Sequence, residues 1–115
     1  MNKRTKATDI SKKVKDIVWE RDNQRCIICG SSQAMPNGHY LSRAKSGLGI
    51  KENIVTLCNN CHRMFDNPSP KEIETSKEIK REVKAYLDMH YPNFEDNRRV
   101  YHKWEQQKQY QHKVK

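Results

Sequence analysis

Two cysteine pairs, Cys26-x-x-Cys29 and Cys58-x-x-Cys61, bring four soft ligands into one short chain. A C-x-x-C turn offers two thiolates to one ion, and zinc takes four such ligands in a tetrahedron. A closed set leaves no open position, so this site is expected to be a structural zinc that clamps the ends of the segment it encloses. A disulfide pair, or four unrelated thiols, is the competing reading. The enclosed stretch holds His39 and Asn53, and His62 directly follows the last cysteine. Histidine titrates near neutrality and can take a proton from water. What the clamp encloses therefore decides between an enzyme and a passive zinc module.

The elements that must position these residues are legible in outline. Residues 1–8 read as a basic, flexible start. Apolar Ile10, Val14, Ile17 and Val18, with Trp19 beyond them, predict a helix over residues 9–22. Residues 25–30 read as a short strand entering a zinc knuckle. Residues 30–38 are turn-rich, with Gly30, Pro36 and Gly38. A strand is expected at residues 39–41, and a clearer, β-branched one at residues 53–57. The segment between Cys29 and Cys58 is longer than a plain zinc ribbon needs, and these two strands would fill it. A short helix should start near Asn59 or Asn60 and stop before Pro68. Ser69-Pro70-Lys71-Glu72 signals another start, with Ser as N-cap, Pro at N1 and Glu at N3. Ile79, Val83, Tyr86 and Leu87 give that helix one apolar stripe, and Pro92 ends it. A last helix is expected over residues 94–112, using Phe94, Val100, Tyr101 and Trp104. The chain thus divides into the basic start, a zinc-stapled core over residues 9–68, and a helical extension with a basic tail over residues 69–115.

The chain has 115 residues, of which 34% are hydrophobic and 32% charged. That composition supports one small core, which a metal staple would help to fold. No apolar run is long enough for a signal peptide or a membrane helix. The expected setting is the cytoplasm, where paired cysteines more often bind metal than form disulfides. The formal charge is +9, and four thiolates with one zinc would leave about +7. Such a balance suits a polyanionic partner, above all nucleic acid. The cations gather at the two ends. Residues 71–89 balance lysines and arginines against as many acids, which reads as a solvated helix face.

His39, Asn53 and His62, set across strand, loop, strand and helix, resemble the HNH endonuclease family and its ββα-metal fold. The match runs from about Cys26 to Asp66 and reads Gly38-His39-Tyr40, then Glu52-Asn53-Ile54-Val55-Thr56-Leu57-Cys58, then Asn60-Cys61-His62-Arg63. Val18-Trp19-Glu20-Arg21-Asp22 and Arg25-Cys26 look like the usual lead-in, and the cysteine pairs match the zinc-containing branch. The resemblance implies an α+β fold: a small ββα-metal (His-Me finger) core with flanking helices. It implies His39 as general base, Asn53 tying the active-site loop, His62 as ligand of a catalytic divalent ion, and products with 5′-phosphate and 3′-hydroxyl ends. The family often carries Asp or His before the general base as a further ligand. Here that residue is Gly38. Asp66, four residues after His62, would share its helical face and could compensate. Few protein ligands plus water and phosphate suit Mg2+, and a site containing histidine also accepts Mn2+, Ni2+ or Zn2+.

Double-stranded DNA is the expected partner. Arg43 and Lys45 follow His39, and Arg63 follows His62, so all three are candidates for phosphate contacts. A freestanding protein of this size resembles HNH proteins of bacteriophages and prophages, some of which work beside DNA-packaging machinery. A monomer with one site would cut one strand per encounter. The rival readings are a non-catalytic, zinc-stapled DNA-binding module and a zinc-stapled protein-interaction domain.

Overall fold

A computed structural model describes residues 2–103. The chain runs through helices α1 (Lys3–Thr8) and α2 (Lys12–Arg21), strands β1 (Ala34–His39) and β2 (Ile54–Cys58), and helices α3 (Asn59–Asp66) and α4 (Ile73–His90). Short 3-10 turns fall at Arg43–Lys45, Pro70–Glu72 and Asp96–Arg99. The result is a small α+β fold in which β1 and β2 form a two-stranded antiparallel sheet.

The core lies between the sheet and the last two helices. Val55 and Leu57 of β2 meet Cys61 and Phe65 of α3 and Ile79, Val83 and Leu87 of α4. The α4 residues recur at intervals of three and four, which puts them on one helical face. All five residues of β2 are buried. A strand covered on both sides needs no polar alternation, which explains its β-branched run. The capping box at Ser69 and Glu72 is present. Cys58, rather than Asn59 or Asn60, caps α3.

Five elements differ from expectation. Residues 3–8, read as flexible, form α1, capped by Asn2. The helix expected over residues 9–22 starts only at Lys12, because Ser11 accepts a hydrogen bond from Val14 N and caps α2 there. Of its apolar face only Val18 is fully buried. Residues 25–30 form turns, not a strand, joined to β2 by one bond from Ile27 N to Thr56 O. β1 occupies Ala34–His39, upstream of the expected residues 39–41 and across the segment read as turn. Pro36 cannot donate to the ladder, and the register shifts between Met35 and Gly38. The inserted residue is a β-bulge.

The helix expected over residues 94–112 is not formed in its described part. Asp96–Arg99 is a 3-10 turn, after which Val100 bridges Gly47 and Tyr101 N donates to Ser46 O at 2.8 Å. Trp104 and the remainder of that expected helix lie outside the described residues. Arg99 anchors this strap although no part of it is exposed. Its Nε donates to Glu52 O at 2.7 Å and its Nη1 to Phe94 O and Asp96. The Arg21-Asp22 lead-in is a second anchor. Asp22 accepts from Thr56 N at 2.8 Å and from the Tyr86 hydroxyl at 2.6 Å, and Arg21 donates to Ile54 O at 2.7 Å. One buried ion pair thus ties α2 to β2 and α4. Among the described residues no helix is long and apolar enough to cross a membrane.

Candidate functional site

The four thiols arrive on two turns. Cys26 and Cys29 flank the bend after α2, which closes through a bond from Gly30 N to Cys26 O at 2.9 Å. Gly30 adopts φ 80°, a conformation that favours glycine. Cys58 ends β2 and Cys61 lies in the first turn of α3, so the strand-to-helix junction supplies the second pair. The Cys58 sulfur accepts from Cys61 N at 3.4 Å. All four sulfurs lie within 4.8 Å of one another. The Cys29 and Cys58 sulfurs are 3.6 Å apart, well beyond the disulfide length of about 2.05 Å. A tetrahedron with zinc–sulfur bonds of about 2.3 Å has edges of roughly 3.8 Å. The cluster could therefore hold a metal ion such as zinc.

The electrostatics agree with that chemistry. Burial opposes ionisation of Cys26, but hydrogen bonds from the backbone at Cys29, Cys58 and Ile28 bring its thiol down to about 7. Burial and the neighbouring Cys58 and Cys26 sulfurs push the Cys61 thiol up. Four thiolates crowd one another unless a cation sits among them, and a coordinated thiol is deprotonated outright.

His39, His62 and Asp66 converge elsewhere, on one open cavity of about 780 Å3. His39 ends β1, and the other two lie one turn apart on α3. His62 Nε2 and Asp66 Oδ2 are 2.8 Å apart. Two neighbouring ligands of an ion with bonds of about 2.1 Å stand roughly 3 Å apart, so this pair could share one divalent cation. His39 is only 8% exposed. Its Nε2 lies 2.9 Å from the Thr8 carbonyl. A carbonyl oxygen can only accept, so Nε2 carries the hydrogen and Nδ1 keeps the lone pair. Burial lowers the His39 pKa, and the Thr8 bond offsets part of that. The ring is thus held neutral with its basic nitrogen defined.

Asn53 is fully buried beneath this loop. Its Oδ1 accepts from Leu41 N at 2.9 Å, and its Nδ2 donates to Leu41 O at 3.1 Å and Leu48 O at 2.9 Å. Its own carbonyl accepts from Tyr40 N at 2.8 Å. One carboxamide therefore fastens both ends of the loop that follows His39. At Gly38 an added Cβ would lie 2.8 Å from Leu57 Cδ1. A side chain there meets the core residue Leu57, so Gly38 marks close strand packing.

The basic candidates separate. Arg43 lines the cavity but is ion-paired with Asp9. Arg63 is outside the cavity lining and forks onto Glu72 at 2.9 and 2.7 Å. Lys45 lines an adjoining cavity. Two contributors escape sequence reading. Thr8 acts through its backbone carbonyl, which carries no mark of residue type. Asn37, at the bulge, lines the cavity with a buried Oδ1 that has no hydrogen-bond partner. Its signal was Pro36 inside a strand two residues before His39's neighbour Gly38, since bulges re-aim side chains. No protein-family model, curated protein or solved structure matches this chain.

Proposed function

We propose that this protein is a metal-dependent DNA endonuclease or nickase of the HNH type, stapled by a structural zinc at Cys26, Cys29, Cys58 and Cys61. The observation that carries the reading is the convergence of His39, His62 and Asp66 on one cavity, with the His39 lone pair fixed at Nδ1. His39 accepts the proton of the attacking water at that atom, and the Thr8 carbonyl stabilises the imidazolium that results through Nε2. Asn53 keeps the following loop, and with it the His39 backbone, in place. His62 and Asp66 would hold the catalytic ion, Mg2+ or another divalent such as Mn2+ or Ni2+. Asn37 lines the same cavity. Such an ion supplies charge stabilisation at phosphorus and at the leaving 3′ oxygen.

The test is cleavage of supercoiled plasmid by the wild type and by His39→Ala, each with Mg2+, Mn2+, Ni2+ or EDTA. Metal-dependent cutting that disappears in His39→Ala is the expected result. A folded, zinc-loaded wild type that binds DNA but cuts in no metal overturns the enzyme reading. It would favour a non-catalytic DNA-binding module, for which the side-chain-free Gly38 is the one specific observation.

A further inference from the structure

We propose that the cation row of α4, with Lys45 opposite, is a track that leads the DNA backbone to the cavity of His39. The inference rests on the nuclease reading above. A second cavity, of about 460 Å3, adjoins the first and shares Ser42 and Asp66 with it. Its cations are Lys45, Lys80, Arg81 and Lys84, and Asp66 is the sole carboxylate among its lining residues. The first cavity is different in kind, since Asp9 and Asp66 offset Arg43 and Lys15 there. Carboxylates suit a reacting centre that holds a cation. A cation-rich groove suits the phosphates on either side of the scissile one.

The charge balance of α4 hides this surface in the sequence. Glu74, Glu78 and Glu82 are not among the lining residues, so the groove keeps the cations and leaves those acids elsewhere on the helix. Lys80 and Lys84 stand one turn apart on the same face. Lys80 lies over the Phe65 ring at 5.6 Å, and Lys84 pairs with Asp88 at 2.8 Å. Asp96 reaches the edge through Tyr40 at 3.4 Å. Lys45 and Arg81 make no side-chain hydrogen bond or ion pair among the described residues. Two cations are therefore free to meet phosphate at once, and two more are held at the surface.

The experiment measures binding of a fluorescein-labelled DNA duplex by anisotropy across a KCl series. It uses the full, zinc-loaded chain carrying His39→Ala, so that DNA survives. The track variant adds Lys80→Gln, Arg81→Gln and Lys84→Gln. The control adds Lys71→Gln and Lys77→Gln, which lie on the same segment away from the groove. All five side chains are exposed, and circular dichroism with zinc content verifies folding. The track variant should bind at least tenfold more weakly, with a salt slope shallower by about 0.9 for each phosphate it no longer neutralises. The control should stay within about twofold of its parent, since it removes charge that meets no phosphate. Equal losses in both variants, or none in either, overturn the track. The two readings fail separately. A wild type that never cuts, beside a track variant that loses DNA, removes the nuclease and leaves the track. A wild type that cuts, beside a track variant that binds DNA as tightly as its His39→Ala parent, removes only the track.

Discussion

His39 shows how a backbone atom can decide the chemistry of a side chain. Thr8 O fixes the tautomer, and burial lowers the pKa. A base with a lowered pKa stays neutral further into acid. The acid limb of the cleavage rate should therefore fall below the ordinary histidine value of about 6.5. A pH–rate profile at saturating metal checks this, and a limb above that value would contradict the burial argument. The same shift has a stability sign. Between the two pKa values the unfolded chain binds more protons, so stability rises with pH across that window. Asn53→Ala should cost about 2–4 kcal/mol, because it leaves Leu41 N, Leu41 O and Leu48 O without their partner. Urea denaturation of the zinc-loaded protein measures it. Residue types were readable because Cys, His and Asn carry their chemistry in their names. Partners were not. Arg43 and Arg63 looked available in sequence, but each is held by an acid, Asp9 or Glu72.

The short α1 is the element on which His39 depends. It docks through Gly49, whose N donates to Ala7 O at 3.0 Å. A Cβ at Gly49 would fall 2.0 Å from Asp9 O and 2.6 Å from Asp9 C, both backbone atoms that cannot swing aside. Gly49→Ala should therefore push the end of α1, and with it the Thr8 carbonyl, away from His39. Cleavage should drop by at least tenfold while DNA affinity stays within about twofold, because the proposed phosphate track lies on α4 and at Lys45. A variant that cuts normally would show that Thr8 is dispensable. No pattern in residues 1–8 announced this helix, since its reason to exist is tertiary: a backbone approach that only glycine at 49 permits. β2, α3 and α4 were readable from β-branching, Cys-x-x-Cys spacing and the Ser69 capping box. β1 was displaced because Pro36 reads as a turn when its bulge is not foreseen. The strap after Phe94 was misread as helix because Val100 and Tyr101 serve backbone pairing with the loop at Ser46 and Gly47.

At the scale of the molecule, the thiol cluster joins what the small core cannot hold alone. Cys26 and Cys29 belong to the turn after α2, while Cys58 and Cys61 join β2 to α3. An ion bound there would tie the N-terminal helices to β1, β2 and α3, which carry His39 and His62. Structural zinc contributes about 10–16 kcal/mol in small zinc domains, against a total stability of about 5–15 kcal/mol for an ordinary domain. Removing it should unfold the chain. The pure protein should carry one zinc per chain by native mass spectrometry. A strong chelator should abolish its far-UV helical signal at 25 °C, and each Cys→Ser variant should lose both zinc and fold. In the proposed nuclease the catalytic ion would behave oppositely, because His62 and Asp66, 28% and 46% exposed, would hold it more weakly than four thiolates hold zinc. Mild chelation should stop cleavage with circular dichroism unchanged, and added Mg2+ or Mn2+ should restore it at once. Two chelator thresholds, one for activity and a higher one for folding, would separate the metals. A single threshold at which cutting and fold vanish together would mean that one metal serves both, and that the cavity of His39 holds no ion of its own.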